Sequence, residues 1–168
     1  MGYTSPEPLG QPHLVSDFES GEPALDDWLK RHARQAQSAG SSRTFATTTD
    51  GAMVVGYYAL AATQVEPSVA TTRPLKGEPQ RRAIPAVLLV RLAVDHRHQG
   101  AGVGHSLLQD AVLRALQAAD SIGVRAILIH AKHERARAWY RQYGFESSPT
   151  DPHLMLLVKD LRAFVARS

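Results

Sequence analysis

The stretch that most constrains the fold of this chain is Arg97-His98-Gln99-Gly100-Ala101-Gly102-Val103-Gly104, directly after the apolar run Val87-Leu88-Leu89-Val90-Arg91-Leu92-Ala93-Val94. A buried strand runs into a glycine-rich turn. Beyond it, Leu107, Leu108, Ala111, Val112, Ala115 and Leu116 recur at helical spacing, which predicts a helix reaching about Ala119. Three glycines let the backbone turn tightly and aim successive N–H groups at one spot. The positive end of the helix dipole adds to them, so the turn suits a phosphate or pyrophosphate group.

The surrounding pattern is that of a mixed α/β (α+β) chain. Pro23 stands early in a helix with Leu25, Trp28, Leu29 and His32 on one face. Thr44–Thr49 reads as a strand, Asp50-Gly51 as a hairpin turn and Met53–Ala62 as the returning strand. A long connection over 66–85, rich in Pro, Arg and Lys, leads to the strand at 86–94, the glycine turn and its helix. Asp120-Ser121-Ile122-Gly123 breaks that helix before a strand over 124–130. A second helix is expected over 134–143 with Gly144 as its C-cap, then a strand over 153–158 and a short tail helix. A hairpin followed by strand–helix–strand–helix–strand predicts a mixed sheet with helices on both faces. Residues 1–12 are polar and rich in Pro and Gly, so a loose end is expected there, leaving 13–168 as a single domain.

Composition removes several function classes. The chain has no cysteine, which excludes disulfides, thiolate metal sites and a cysteine nucleophile. No apolar run approaches the roughly 20 residues of a membrane span, so no membrane and a cytoplasmic location are expected. Pro6 stands where a myristoylation signal wants Ser or Thr. His96-x-His98 and the pair His130/His133 lack a complete ligand set, so no metal is expected. No Gly-Lys-Ser/Thr follows the turn, which rules out a P-loop. A dinucleotide site needs an acid about 20 positions on, at the end of the next strand. That strand ends in His130-Ala131-Lys132, and Asp120 lies before it.

Arg97-His98-Gln99-Gly100-Ala101-Gly102 resembles the pyrophosphate loop Arg/Gln-x-x-Gly-x-Gly/Ala of the GNAT superfamily of N-acetyltransferases. It also follows a strand ending Leu92-Ala93-Val94-Asp95 and precedes a long helix, as in that family. Further segments narrow the resemblance to the acetyltransferase toxins of bacterial toxin–antitoxin pairs. They are Phe18-x-Ser20-Gly21-x-x-x-Leu25-Asp26-x-Trp28-Leu29, Arg91 to Asp95, Gly123-x-Arg125-Ala126-Ile127-x-x-His130-Ala131, and Tyr140-x-x-Tyr143-Gly144-Phe145-x-Ser147-x-Pro149-x-Asp151-Pro152. The resemblance implies a GNAT fold whose splayed central strand pair holds acetyl-CoA as donor. It implies the α-amino group of aminoacyl-tRNA as acceptor, inhibition of translation, a homodimer and neutralisation by a ribbon-helix-helix antitoxin. Operator DNA would be bound only together with that antitoxin.

On this resemblance, backbone groups of Leu92, Ala93 and Val94 pair with the pantetheine arm. Gln99, Gly100, Ala101, Gly102, Val103 and Gly104 hold the pyrophosphate through their N–H groups, with charge added by Arg97 and His98. His133 and Tyr140 complete the cofactor-binding set, and the Tyr140 phenol is the candidate acid that protonates the departing thiolate. Tyr143, three residues on, is the competing tyrosine. Many relatives carry a carboxylate where this chain has Arg91. A lysine amine, with a pKa of about 10.4, needs a base, whereas an α-amine near 7.7–8.0 is already partly neutral at cell pH. A site with arginine therefore suits an aminoacyl ester; His130 is a candidate base, although a buried, hydrogen-bonded strand-end role suits it better.

Arg73, Lys76, Arg81, Arg82 and Arg91 are the candidate tRNA contacts, with Arg31, Arg34 and Arg43 in the N-terminal region. Contacts of this kind supply salt-dependent affinity for phosphates. Two alternatives stay open: a GNAT enzyme acting on a small-molecule or protein amine, and an inactive acetyl-CoA-binding co-repressor with a DNA-binding partner.

Overall fold

The computed structural model describes residues 2–66, 83–131, 133–147 and 153–167. Its strands are β1 (Glu7–Pro8), β2 (Arg43–Thr49), β3 (Met53–Val65), β4 (Ile84–Val94), β5 (Ala126–His130), β6 (Glu146–Ser147) and β7 (His153–Leu157). They follow the order β1-β2-β3-β4-β5-β7-β6 in a seven-stranded mixed sheet. The α-helices are α1 (Pro23–Arg31), α2 (Ala33–Ala39), α3 (Val103–Ser121), α4 (Glu134–Arg141) and α5 (Val158–Arg167). Among the described residues no helix is long and apolar enough to cross a membrane. The described residues of Met1–Ala61 and Val90–Ala111 form one compact unit, and those of Ala62–Leu89 and Val112–Ser168 a second.

In the first unit β2 and β3 form the hairpin that Asp50-Gly51 predicts, paired from Arg43–Leu60 to Thr49–Met53. The register shifts after Thr47, which faces Gly56, because Thr48 faces Val54; Val55 is the extra residue of a bulge. The expected loose end is corrected here. Glu7 and Pro8 pair with Ala46 and Phe45, Tyr3 bridges Thr49, and Leu9 is buried. The open edge of β2 offers unpaired backbone groups and the core takes Leu9; Pro8 is tolerated because β1 is an edge strand.

Leu25, Trp28 and Leu29 of α1 pack with Phe18, Val54, Tyr57 and Ala93 in one apolar cluster. His32 does not share their face: the helix ends there, His32 is exposed, and Ala33 at the start of α2 takes the buried place. In the second unit β4 runs parallel to β5 from Ala86–Ala126 to Leu89–Ile129, and β5 pairs antiparallel with β7. Val65, Ile84, Ala86, Ala126, Leu128, Met155 and Leu157 close a second apolar cluster. The short strand β6, antiparallel to β7, is an addition to the expected pattern.

Gly56 is where β3 meets the first turns of α3. A Cβ built there would lie 2.9 Å from both Val103 Cγ1 and Leu107 Cδ1, with the Ala93 carbonyl oxygen at 3.5 Å. Val103 and Leu107 are buried, so neither side chain has free space to retreat into. Gly56→Ala is therefore expected to cost about 1–3 kcal/mol, as overpacking of a filled core does. A denaturation midpoint lowered with an unchanged slope would bear this out; an unchanged midpoint would show that the helix start moves freely.

Candidate functional site

The pairing of β4 with β5 runs from Ala86–Ala126 to Leu89–Ile129, while β4 itself runs on to Val94. A 3-10 turn, His96–His98, then leads through Gln99–Gly102 into α3. Gly100 and Gly102 have φ of 83° and 86°, the left-handed region in which a side chain is strained. A Cβ at either would meet nothing within 4 Å, so the backbone there stands open to a ligand. The turn ends at the N-terminus of a 19-residue helix, whose first N–H groups and dipole favour an anion.

Asp95 anchors this turn. Its carboxylate is fully buried and accepts the Arg97 N–H at 2.9 Å, the Arg97 Nε and Nη2 at 2.9 Å each, and the Glu19 N–H at 3.0 Å. Burial alone would push its carboxyl up. The Arg97 guanidinium and the N–H groups of Arg97 and Glu19 outweigh burial and hold it well below the usual carboxylate range. Three more bonds tie the turn to the segment 17–20. The His96 N–H donates to the Glu19 carbonyl at 2.8 Å, Arg97 Nη2 to the Asp17 carbonyl at 3.0 Å, and Gln99 Nε2 to the Ser20 carbonyl at 3.0 Å. Gln99 Nε2 also donates to the Val94 carbonyl at 2.9 Å, and the Asp95 N–H donates to the Val55 carbonyl, at the bulge, at 2.8 Å.

The first unit thus brings Leu92, Ala93 and Val94 together with the whole turn from Arg97 to Gly104. Arg97, expected to add charge for the ligand, has the prior task of holding Asp95, with its side chain half-exposed. His98 Nδ1 meets the Tyr3 hydroxyl at 2.9 Å. Arg91 lies over the Trp28 ring, 4.6 Å from its centroid. Two of the N-terminal arginines have structural partners: Arg31 pairs with Asp27 at 2.8 Å, and Arg34 Nη2 donates to the His13 carbonyl at 2.7 Å. Arg73, Lys76, Arg81 and Arg82 lie outside the described residues.

In the second unit Tyr140 is buried on α4, its ring edge-on to Trp139 at 4.9 Å and to Phe145 at 5.8 Å. Burial pushes its phenol well above the ordinary value, so it stays protonated at neutral pH. Tyr143 meets Trp139 and Phe164 edge-on instead. His133 is exposed at the start of α4. His130 is exposed too, its ring centroid 4.5 Å from that of His153, which corrects the expectation of a buried strand-end histidine.

Sequence reasoning missed the role of Asp95 and of the segment 17–20. The only signal was an acid directly after an apolar strand; Arg97 is two residues on, but Glu19 lies 76 positions away in the chain. The contact between Trp28 and Arg91 was equally hidden, since each residue reads locally as part of its own element.

Residues 41–147 match the family model of the acetyltransferase (GNAT) domain. Over 165 residues the chain is 50% identical to the tRNA-acetylating toxin of Mycobacterium tuberculosis, covering 98% of each protein. Among solved structures it is similar to AtaT complexed with acetyl-methionyl-tRNAfMet, with a TM-score of 0.85 and 26% identity over 96% of this chain and 98% of that one. It is also similar to AtaTR bound with acetyl-CoA, with a TM-score of 0.82 and 25% identity over 96% of each chain.

The anchor has a pH signature. Because the folded state depresses the Asp95 carboxyl, its contribution is fully present above the unfolded value of about 3.9 and is lost as pH falls toward the folded one. Asp95→Asn removes the charge from these hydrogen bonds and is expected to cost about 2–3 kcal/mol at neutral pH. Denaturation of both proteins between pH 8 and pH 2 should show a constant difference down to about pH 4 that shrinks below it. A difference independent of pH would remove the charge from the account.

Proposed function

The chain belongs to the family of acetyltransferase (GNAT) domains, and from that premise we propose that it transfers the acetyl group of acetyl-CoA to the α-amino group of aminoacyl-tRNA, acting as a toxin that arrests translation. The observation that carries this reading is its match, over nearly the whole chain, to a tRNA-acetylating toxin. Acetyl-CoA enters as the donor substrate. The open backbone at Gly100 and Gly102, ahead of α3, suits its pyrophosphate, and the extended backbone of Leu92, Ala93 and Val94 suits its pantetheine arm. Arg97 and His98 border that loop, and His133 and Tyr140 supply the remaining contacts to the donor.

In the reaction the neutral α-amine attacks the thioester carbonyl carbon, a C–N bond forms and the C–S bond breaks. The Tyr140 hydroxyl gives its proton to the leaving thiolate, and the proton shed by the new amide nitrogen restores the phenol through solvent. No strong base is needed, since an α-amine titrates near neutrality. Arg91, with Arg73, Lys76, Arg81 and Arg82, serves the acceptor. The reading also carries a homodimer in the cytoplasm, a ribbon-helix-helix antitoxin as the neutralising partner, and operator DNA bound only with that antitoxin.

Incubation with charged tRNA and labelled acetyl-CoA tests the reading: label should appear on the amino acid, and its absence from every charged tRNA would overturn it. Gly102→Glu puts bulk and negative charge where the pyrophosphate sits, at a positive φ, and should abolish acetyl-CoA binding in calorimetry. Tyr140→Phe keeps the ring packing and removes only the hydroxyl. It should lower kcat by roughly 10²–10⁴-fold with little change in KM, because the proton is needed in the transition state. Tyr143→Phe, as the control, should change kcat far less; the opposite ranking would move the acid to Tyr143.

A further inference from the structure

Arg91 is the sole charged residue of β4, one position before Leu92, and it is half-buried. A cation withdrawn from water is costly unless an anion meets it. Among the described residues Arg91 has no carboxylate within ion-pair distance. The buried acid of α1, Asp26, turns its Oδ1 to Ser20 instead, accepting from the Ser20 N–H at 2.9 Å and the Ser20 Oγ at 2.6 Å. What holds Arg91 is a ring: its guanidinium lies 4.6 Å from the centroid of Trp28. Trp28 in turn is stacked on Tyr57, with centroids 6.0 Å apart and planes 13° from parallel. The Tyr57 hydroxyl is locked by donating to the Leu25 carbonyl at 2.7 Å. Among the described residues the guanidinium thus meets a ring face rather than an anion, and its N–H fork matches two oxygens of a phosphate.

We propose that Arg91, positioned by Trp28, is a phosphate clamp in the acceptor site that takes the phosphodiester of the acceptor's 3′-terminal nucleotide. The inference rests on the aminoacyl-tRNA reading above and deepens it. The reacting α-amine is carried on an ester of the terminal ribose, so the phosphodiester of that same nucleotide is the anion nearest to it along the covalent chain. A clamp on this group positions the amine itself, whereas contacts to phosphates further along the RNA dock the molecule without aligning the reacting atoms. Arg91 is then a binding residue and Trp28 a positioning residue that acts through it.

The test uses small acceptors: aminoacyl esters of adenosine and of adenosine 5′-phosphate, made with an amino acid whose charged tRNA the wild type acetylates. The wild type should prefer the phosphorylated ester about ten- to a hundredfold in kcat/KM, with the difference residing in KM, as for a charge-assisted bidentate contact. Arg91→Gln should bring the preference close to one. Trp28→Leu should do the same, and Trp28→Phe should retain most of it by keeping a ring under the guanidinium. Arg91→Lys, which keeps the charge and loses the planar fork, should fall between. The clamp is overturned if the wild type shows no preference, if Arg91→Gln keeps it, or if Arg91→Gln weakens acetyl-CoA binding by the same factor, which would place the phosphate on the donor. Acetylation of charged tRNA without any preference would sink the clamp alone. No acetylation of any charged tRNA would sink the acceptor reading and the clamp with it.

Discussion

The candidate loop depends on one buried carboxylate. Asp95 stands at the point where β4 ends and the glycine turn begins, and it is fully withdrawn from water. Such a charge is tolerable only when its oxygens are satisfied, and here they are met by Arg97 and by the Glu19 N–H. The same residue ties its own N–H to the bulge at Val55, next to Gly56, where β3 approaches Val103 and Leu107. The loop is therefore held at its entry by charge and hydrogen bonds and at its exit by packing. A pre-ordered loop does not have to be ordered at the moment of binding, which spares the entropy that a mobile one would lose.

The arginines of the chain show how little residue type says about role. Arg97 holds a buried acid, Arg34 caps carbonyls of the N-terminal segment, Arg31 pairs along its own helix, and Arg91 lies on an indole. A count of positive charge would have given all four to a nucleic acid. Neighbours separate them: three meet an anion or carbonyls, whereas among the described residues Arg91 meets a ring. The two tyrosines of α4 and its C-terminal turn divide in a similar way. Tyr140 is buried between Trp139 and Phe145 and its phenol is held protonated, while Tyr143 leans on Phe164 of α5.

Much of the fold was legible because its signals are local. Asp50-Gly51 between two β-rich runs specified the hairpin, and the periodic Leu107, Leu108, Ala111, Val112 and Ala115 specified the buried face of α3. The glycine turn was legible as a tight turn because positive φ is a property of glycine itself, and Gly100 and Gly102 adopt that conformation. Where the local signal failed, a distant surface had intervened. Polar, proline-rich residues 1–12 read as loose, yet the free edge of β2 and a place for Leu9 order Glu7 and Pro8 into a strand. His32 read as part of an apolar face, but the break between α1 and α2 turns it to solvent.

By itself, then, the sequence determined the order of the longer strands and of the helices after the first hairpin, and the glycine turn at the head of α3. These follow from periodicity and backbone preference, which act over a few residues. Tertiary structure alone decided that Glu19, far from Asp95 in the chain, would satisfy it. It also decided that Arg97 would be drawn into that anchor, and that Trp28 of α1 would lie against Arg91 of β4. Such contacts join residues that share no local pattern, so they exist only once the chain has folded.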